Sequence, residues 1–204
     1  MALSRRAMSG ISTLIIFIAL ILVATVAAFV LLTTAGSLQS QAIATGNESR
    51  TSVSTKVFIV AIIGETMNQT HVNKIRISIK LAPGSDPVNL AHSYLHYSDG
   101  NVYETGIQYL DPQSTPYDND VASVSQAATS THFTALFVRY GPDYDAAMRD
   151  MLTPTDLVEL YYPVNPVPMN TKIFVQFIPD TGSPSPAEFR IPVNLDSNGV
   201  NLFP

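Results

Sequence analysis

Apolar positions are distributed along this chain in two different ways. Near the front they run on without interruption: Leu14 to Leu32 is 19 residues, apolar apart from Thr25. A bilayer core takes about 20 apolar residues as a helix, so this stretch is long enough to span one. It lacks the polar stripe that a helix on the surface of a soluble domain carries. After Leu32 the pattern turns polar but stays uncharged, through Thr33, Thr34, Ser37, Gln39, Ser40, Gln41 and Thr45. A continuous helix from Ile11 to about Thr45 is predicted, roughly 50 Å long at about 1.5 Å per residue.

From Glu48 and Arg50 onward the pattern shortens and alternates. Val53–Ile63 is an apolar, β-branched run, and in Val72–Leu81 the residues Ile75, Ile77 and Ile79 alternate with Arg76, Ser78 and Lys80. Period two predicts a half-buried strand. Residues 83–87, Pro-Gly-Ser-Asp-Pro, read as a turn. Ser93–Ser98 and Val102–Leu110 flank Asp99-Gly100, which predicts a hairpin. Asp111–Thr131 reads as a surface loop, His132–Tyr140 as a strand, and Asp143–Leu152 as one or two helical turns. Asp156–Tyr162, Lys172–Ile178 and Ala187–Val193 are the last predicted strands, with prolines marking edges and turns between them. Seven to nine strands with no alternating βαβ pattern suggest an antiparallel sandwich. The predicted fold class is α+β, divided as 1–10 leader, 11–46 apolar helix and 47–204 β-sandwich domain.

Charge sharpens this division. Residues 11–47 hold no charge at all, and the only charges before them are Arg5 and Arg6. Basic residues flanking a span stay cytoplasmic, so the later chain is expected outside. Sixteen acids against eleven bases leave −5, which does not suit a nucleic-acid binder. With 46% apolar and 13% charged residues the chain is not intrinsically disordered. The absence of cysteine removes disulfides, thiolate nucleophiles and Cys-ligated zinc.

Arg5-Arg6-Ala7-Met8-Ser9-Gly10 forms a short basic leader ending in glycine, and Ile11 opens the apolar run. The stretch from Gly10-Ile11-Ser12-Thr13-Leu14 through Leu22-Val23-Ala24-Thr25-Val26-Ala27-Ala28 to Thr34-Ala35-Gly36-Ser37-Leu38-Gln39-Ser40-Gln41-Ala42 closely resembles the start of archaeal flagellins, or archaellins. The resemblance implies cleavage after Gly10 by a prepilin-like peptidase, so that Ile11 begins the mature chain and the helix is retained. It also implies an immunoglobulin-like sandwich outside, a precursor inserted in the membrane, and an extracellular filament of self-associated subunits. Bacterial type IV pilins carry a glutamate near the fifth mature position; here that position is Ile15. Val88-Asn89-Leu90, Phe177-Ile178-Pro179 and Phe189-Arg190-Ile191-Pro192-Val193 resemble archaellin outer-domain features more weakly.

A uniformly apolar helix suits both lipid and the interior of a helix bundle. Ala24 and Ala28 have the small-xxx-small spacing that lets backbones approach, and Ala27, Ala35 and Gly36 add further positions. The expected function is a structural subunit of the archaeal swimming filament. An archaeal adhesion pilin and a permanently anchored β-sandwich stator or binding protein are the alternatives. A secretory signal peptide fits less well, because Ala42-Ile43-Ala44 lies far beyond Leu32 and the apolar run exceeds the usual 7–15 residues.

Candidate chemistry is sparse. Asn47-Glu48-Ser49 and Asn68-Gln69-Thr70 match the N-glycosylation acceptor pattern on the expected extracellular side. His92 and His96 would be about 13 Å apart on a strand, too far to share an ion. Asp111, Asp118, Asn119 and Asp120 lack the spacing of a calcium loop and read as solvated. There is no Gly-rich phosphate loop, G-x-S-x-G or H-E-x-x-H, so neither enzyme activity nor a cofactor nor a metal is expected.

Overall fold

The computed structural model describes residues 2–67, 70–111, 121–141, 150–196 and 199–203, with side chains from Gly10 onward and not at Met67. By internal contacts it divides into two units, 1–49 and 50–204. The first is helical throughout, as part of α1 (Ala2–Ser54). At 53 residues α1 is about 80 Å long. It runs past the expected end near Thr45, because Gly46 to Ser54 contains no proline and continues the helical ladder.

The second unit is built from strands β1 (Val57–Met67), β2 (His71–Leu81), β3 (Val88–Asn89), β4 (Tyr94–Ser98), β5 (Tyr103–Tyr109), β6 (His132–Arg139), β7 (Met151–Leu152), β8 (Leu157–Pro168), β9 (Lys172–Ile178), β10 (Ser185–Arg190) and β11 (Val200–Phe203). A short helix, α2 (Val121–Ala127), precedes β6. Nine strands hydrogen-bond in the order β10-β9-β4-β5-β6-β8-β2-β1-β11, and β3 pairs with β7 separately. Neighbours in the large sheet are antiparallel except β5 and β6, which meet in parallel only at Gln108↔His132 and Tyr109↔Phe133. The expected antiparallel sandwich is thus realised as one sheet that turns over at this short parallel step.

Ring contacts show the two halves facing each other. Phe133 on β6 meets Phe177 on β9 edge-on at 6.4 Å, and Tyr97 on β4 meets Tyr162 on β8 at 5.7 Å. On the far side the Ser185 hydroxyl of β10 donates to the Val57 carbonyl of β1, and Lys56 bridges to Ser183. The main core lies between these halves, with Ile75, Ile77, Leu95, Phe133, Leu160 and Phe177 all fully or almost fully buried. Burying each such side chain stabilises the fold by about 1.5–3 kcal/mol.

Local differences from the predicted elements have tertiary causes. Val53 belongs to the last turn of α1, and β1 starts four residues later at Val57. Four of the prolines expected at edges and turns lie within strands, at two places. Pro163, Pro166 and Pro168 lie within β8, but beyond Tyr161, where its pairing with β6 stops. Pro186 sits in β10, at the sheet edge, where a missing N–H is tolerated. In the segment read as a loop, α2 lays Val124 over Leu136 and Tyr161, and the Thr134 hydroxyl donates to the Val124 carbonyl at 2.8 Å. Of the predicted helical turns at 143–152, residues 142–149 lie outside the described residues, and Met151–Leu152 pairs as β7.

Candidate functional site

Leucine, isoleucine, valine, phenylalanine and alanine fill every turn of α1 between Leu14 and Leu32, so no face of the helix is polar. Among the described residues its side chains are exposed: Val23 is 70% exposed and Leu32 79%. Water is a poor solvent for such a surface, and exposed apolar area on this scale marks an association surface.

Thr25 within the apolar part, and three of the hydroxyls beyond it, bond back onto the helix. Thr25 donates its hydroxyl to the Leu22 carbonyl at 2.8 Å, Thr33 to Phe29 at 3.0 Å, Thr34 to Val30 at 2.8 Å and Ser40 to Gly36 at 3.0 Å. A hydroxyl folded back on its own helix needs no partner from outside. The Leu14–Leu32 part of the helix therefore suits any environment without water, whether lipid or packed protein.

Ala24, Ala27, Ala28, Ala35 and Gly36 are all exposed along α1. At about 100° per residue Ala24, Ala28 and Ala35 fall on one face, Ala27 flanks it, and Gly36 lies about 100° away. The small residues thus open more than one face. A methyl group added at Gly36 would meet nothing within 4 Å among the described residues, so none of them requires a glycine there. Yet a mid-helix glycine costs about 1 kcal/mol relative to alanine.

Gly10 and Ile11 lie within the continuous helix, both exposed. Asn47 is exposed on the same helix, while Asn68 lies outside the described residues. His92 ends a 3-10 turn, Leu90–His92, and His96 lies on β4. Asp118, Asn119 and Asp120 lie outside the described residues, and Asp111 follows β5. Among the described residues no three His, Cys, Asp or Glu side chains converge on a common point.

The sheet also contains two polar clusters that the strand pattern did not single out. In one, the Tyr162 hydroxyl contacts the Glu104 carboxylate and lies 3.1 Å from the Ser130 carbonyl, with Tyr97 reaching Asp99 at 3.5 Å. Burial first, and then the facing carboxylates, push both phenols well above the usual tyrosine range. In the other, Tyr161 donates to Glu159 at 2.9 Å while Arg76 lies 3.5 Å from the same carboxylate oxygen. Burial and the bond to Glu159 raise Tyr161 to about 12, with Arg76 opposing. These phenols stay protonated at neutral pH and act as fixed donors. Alternation had already placed Arg76 opposite the apolar face; the partner strand was the missing piece.

Comparison with known proteins agrees with this division into apolar helix and sheet. A family model described as archaeal-type flagellin matches residues 7–189. Flagellin B3 of Methanocaldococcus jannaschii is 30% identical, with 98% of this chain and 96% of that protein aligned. Flagellin B1 of Natrialba magadii is 50% identical, but over only 42% of this chain and 44% of that protein. The same fold occurs in the archaeal flagellum of Methanospirillum hungatei, with a TM-score of 0.66 and 12% identity over 96% of this chain and 99% of that one. It also occurs in the crystal structure of archaeal flagellin FlaB1 from Methanocaldococcus jannaschii, with a TM-score of 0.63 and 15% identity over 73% of this chain and 97% of that one. Matched by the family model over most of its length, and aligned almost end to end with a 30% identical relative, the chain belongs to the archaeal-type flagellin family.

Proposed function

We propose that this chain is the structural subunit of an extracellular archaellum filament and that its activity is assembly. The observation that carries this reading is an apolar helix with no polar face, whose described side chains are exposed all round. Before assembly the helix resides in the membrane with Arg5 and Arg6 on the cytoplasmic side. A prepilin-like peptidase then cuts between Gly10 and Ile11. The mature helix, Ile11 to Ser54, is about 66 Å long.

Moving such a helix from lipid into a protein bundle exchanges one apolar environment for another. Little hydrophobic energy is gained by that step; close packing must supply the preference for neighbours. This accounts for Ala24, Ala27, Ala28, Ala35 and Gly36, where neighbouring helices approach closely. Small residues on more than one face suit a subunit that touches several copies. Contacts between different surfaces of successive subunits generate an open helical polymer. The sheet unit then forms the outer coat, and Asn47 and Asn68 are glycan acceptors.

Two substitutions test the reading. Val23→Asp places a charge that costs about 2.5–3.5 kcal/mol at mid-membrane depth, with no partner in a dry bundle. Filaments are expected to vanish in electron micrographs while the sheet unit keeps its thermal transition; normal filaments would contradict a dry helical core. Replacing Gly10 by valine is expected to leave an uncut precursor, read as an intact leader by mass spectrometry. Mass mapping of native filaments that finds Asn47 and Asn68 bare would remove the glycan assignment alone.

A further inference from the structure

The end of α1 is held by the sheet in an unusual way. A helix leaves its last carbonyls without partners, and most helices give them to water or to a capping glycine. Here Thr55, the residue after the helix, is completely buried. Its N–H donates to the Thr51 carbonyl at 2.9 Å, its carbonyl accepts from Ser183 N–H at 3.2 Å, and its hydroxyl oxygen accepts from Asp86 N–H at 3.3 Å.

Two loops far apart in sequence make this grip. In the first, Pro83 and Gly84 turn the chain sharply, with Gly84 at φ +82° and Ser85 N–H donating to the Ala82 carbonyl at 3.1 Å. The turn aims the Ser85 hydroxyl at the junction, where it accepts from Lys56 N–H at 3.1 Å and donates to the Ser54 carbonyl at 3.4 Å. The second loop brings Gly182 against Thr55. At φ +114° it adopts a conformation that side chains disfavour, and a Cβ there would come within 2.5 Å of the Thr55 carbonyl. Every backbone polar group of Thr55 is therefore used, and both flanking loops are shaped to reach it.

A helix end that only had to stop could leave these groups to water. We propose that the seam of Thr55, Ser85 and Gly182 is a mechanical lock that passes force between the end of the helix and the sheet. It rests on the filament reading above: a subunit with its helix in the core and its sheet in the coat needs such a joint to make the polymer stiff. The partner of the lock is thus the chain's own helix end, and its load is the strain of the bent or twisted polymer.

The test is the double substitution Thr55→Val with Ser85→Ala, which removes the two side-chain grips with little change of shape. Lys56 lies within the seam and Arg76 in the middle of β2, so trypsin reports both places on the full chain in detergent micelles. Cleavage at Lys56–Val57 is expected to speed up at least tenfold, with less than a twofold change after Arg76. Equal acceleration at both sites, or none at either, would overturn the lock. Gly182→Ala, which presses a methyl group onto the Thr55 carbonyl from the opposite loop, is expected to act in the same direction.

In filaments, the double variant is expected to assemble to normal length but to bend more, with persistence length reduced at least twofold in electron micrographs. Unchanged stiffness would overturn the proposal. So would loss of filaments with the sheet still folded, since that would place the seam in assembly. Absence of the wild-type chain from filaments would instead sink the subunit reading, whatever the protease rates.

Discussion

Tyr161 has no exposed surface, and its hydroxyl is fixed on Glu159 beside Arg76. In the unfolded chain a tyrosine ionises near pH 10, whereas here burial and Glu159 hold the phenol protonated to about 12. The folded state therefore keeps a proton that the unfolded chain loses. Stability is full below pH 10 and falls as pH rises toward 12. Tyr161→Phe is expected to flatten this alkaline decline in denaturant midpoints measured across that range. Gly36 makes the complementary case. Its Cβ direction is open among the described residues, so Gly36→Ile is expected to leave the sheet's melting temperature unchanged while shortening or abolishing filaments. A shift in melting of several degrees would show that the glycine serves the subunit's own fold.

Elements whose pattern came from one local cause were legible in the sequence. The strand predicted over Lys172–Ile178 corresponds to β9, with Ile173, Val175 and Phe177 turned inward. The hairpin around Asp99-Gly100 forms because the Asp99 carboxylate takes the N–H groups of Asn101 and Val102. Elements set by distant partners were not legible. Nothing local announces that β5 and β6 pair in parallel, that β8 carries its prolines beyond the end of β6, or that α2 roofs Tyr161. The turn at Pro83-Gly84 was visible, but its role in capping α1 was not, because its partner is some thirty residues earlier. The core itself gives a plain expectation. Phe177→Ala removes a fully buried ring that faces Phe133 and should cost about 3–5 kcal/mol in urea unfolding.

At the scale of the whole molecule, the chain is a sheet that folds by its own core and a helix that has no core of its own. The helix was legible because a long uncharged apolar run has few physical solutions: lipid, or copies of itself. The resemblance of residues 10–42 to archaeal flagellins chose between them, and family membership over residues 7–189 agrees with that choice. Which faces of the helix meet which neighbours is a property of the polymer, so a single subunit's sequence carries it only as a scatter of small residues. The most direct measurement is the intact mass of the subunit in filaments sheared from native cells. The account predicts a chain starting at Ile11, with the apolar helix present in every copy. Filaments whose subunit starts near Thr45, or this chain found only in membranes with Arg5 and Arg6 attached, would contradict it.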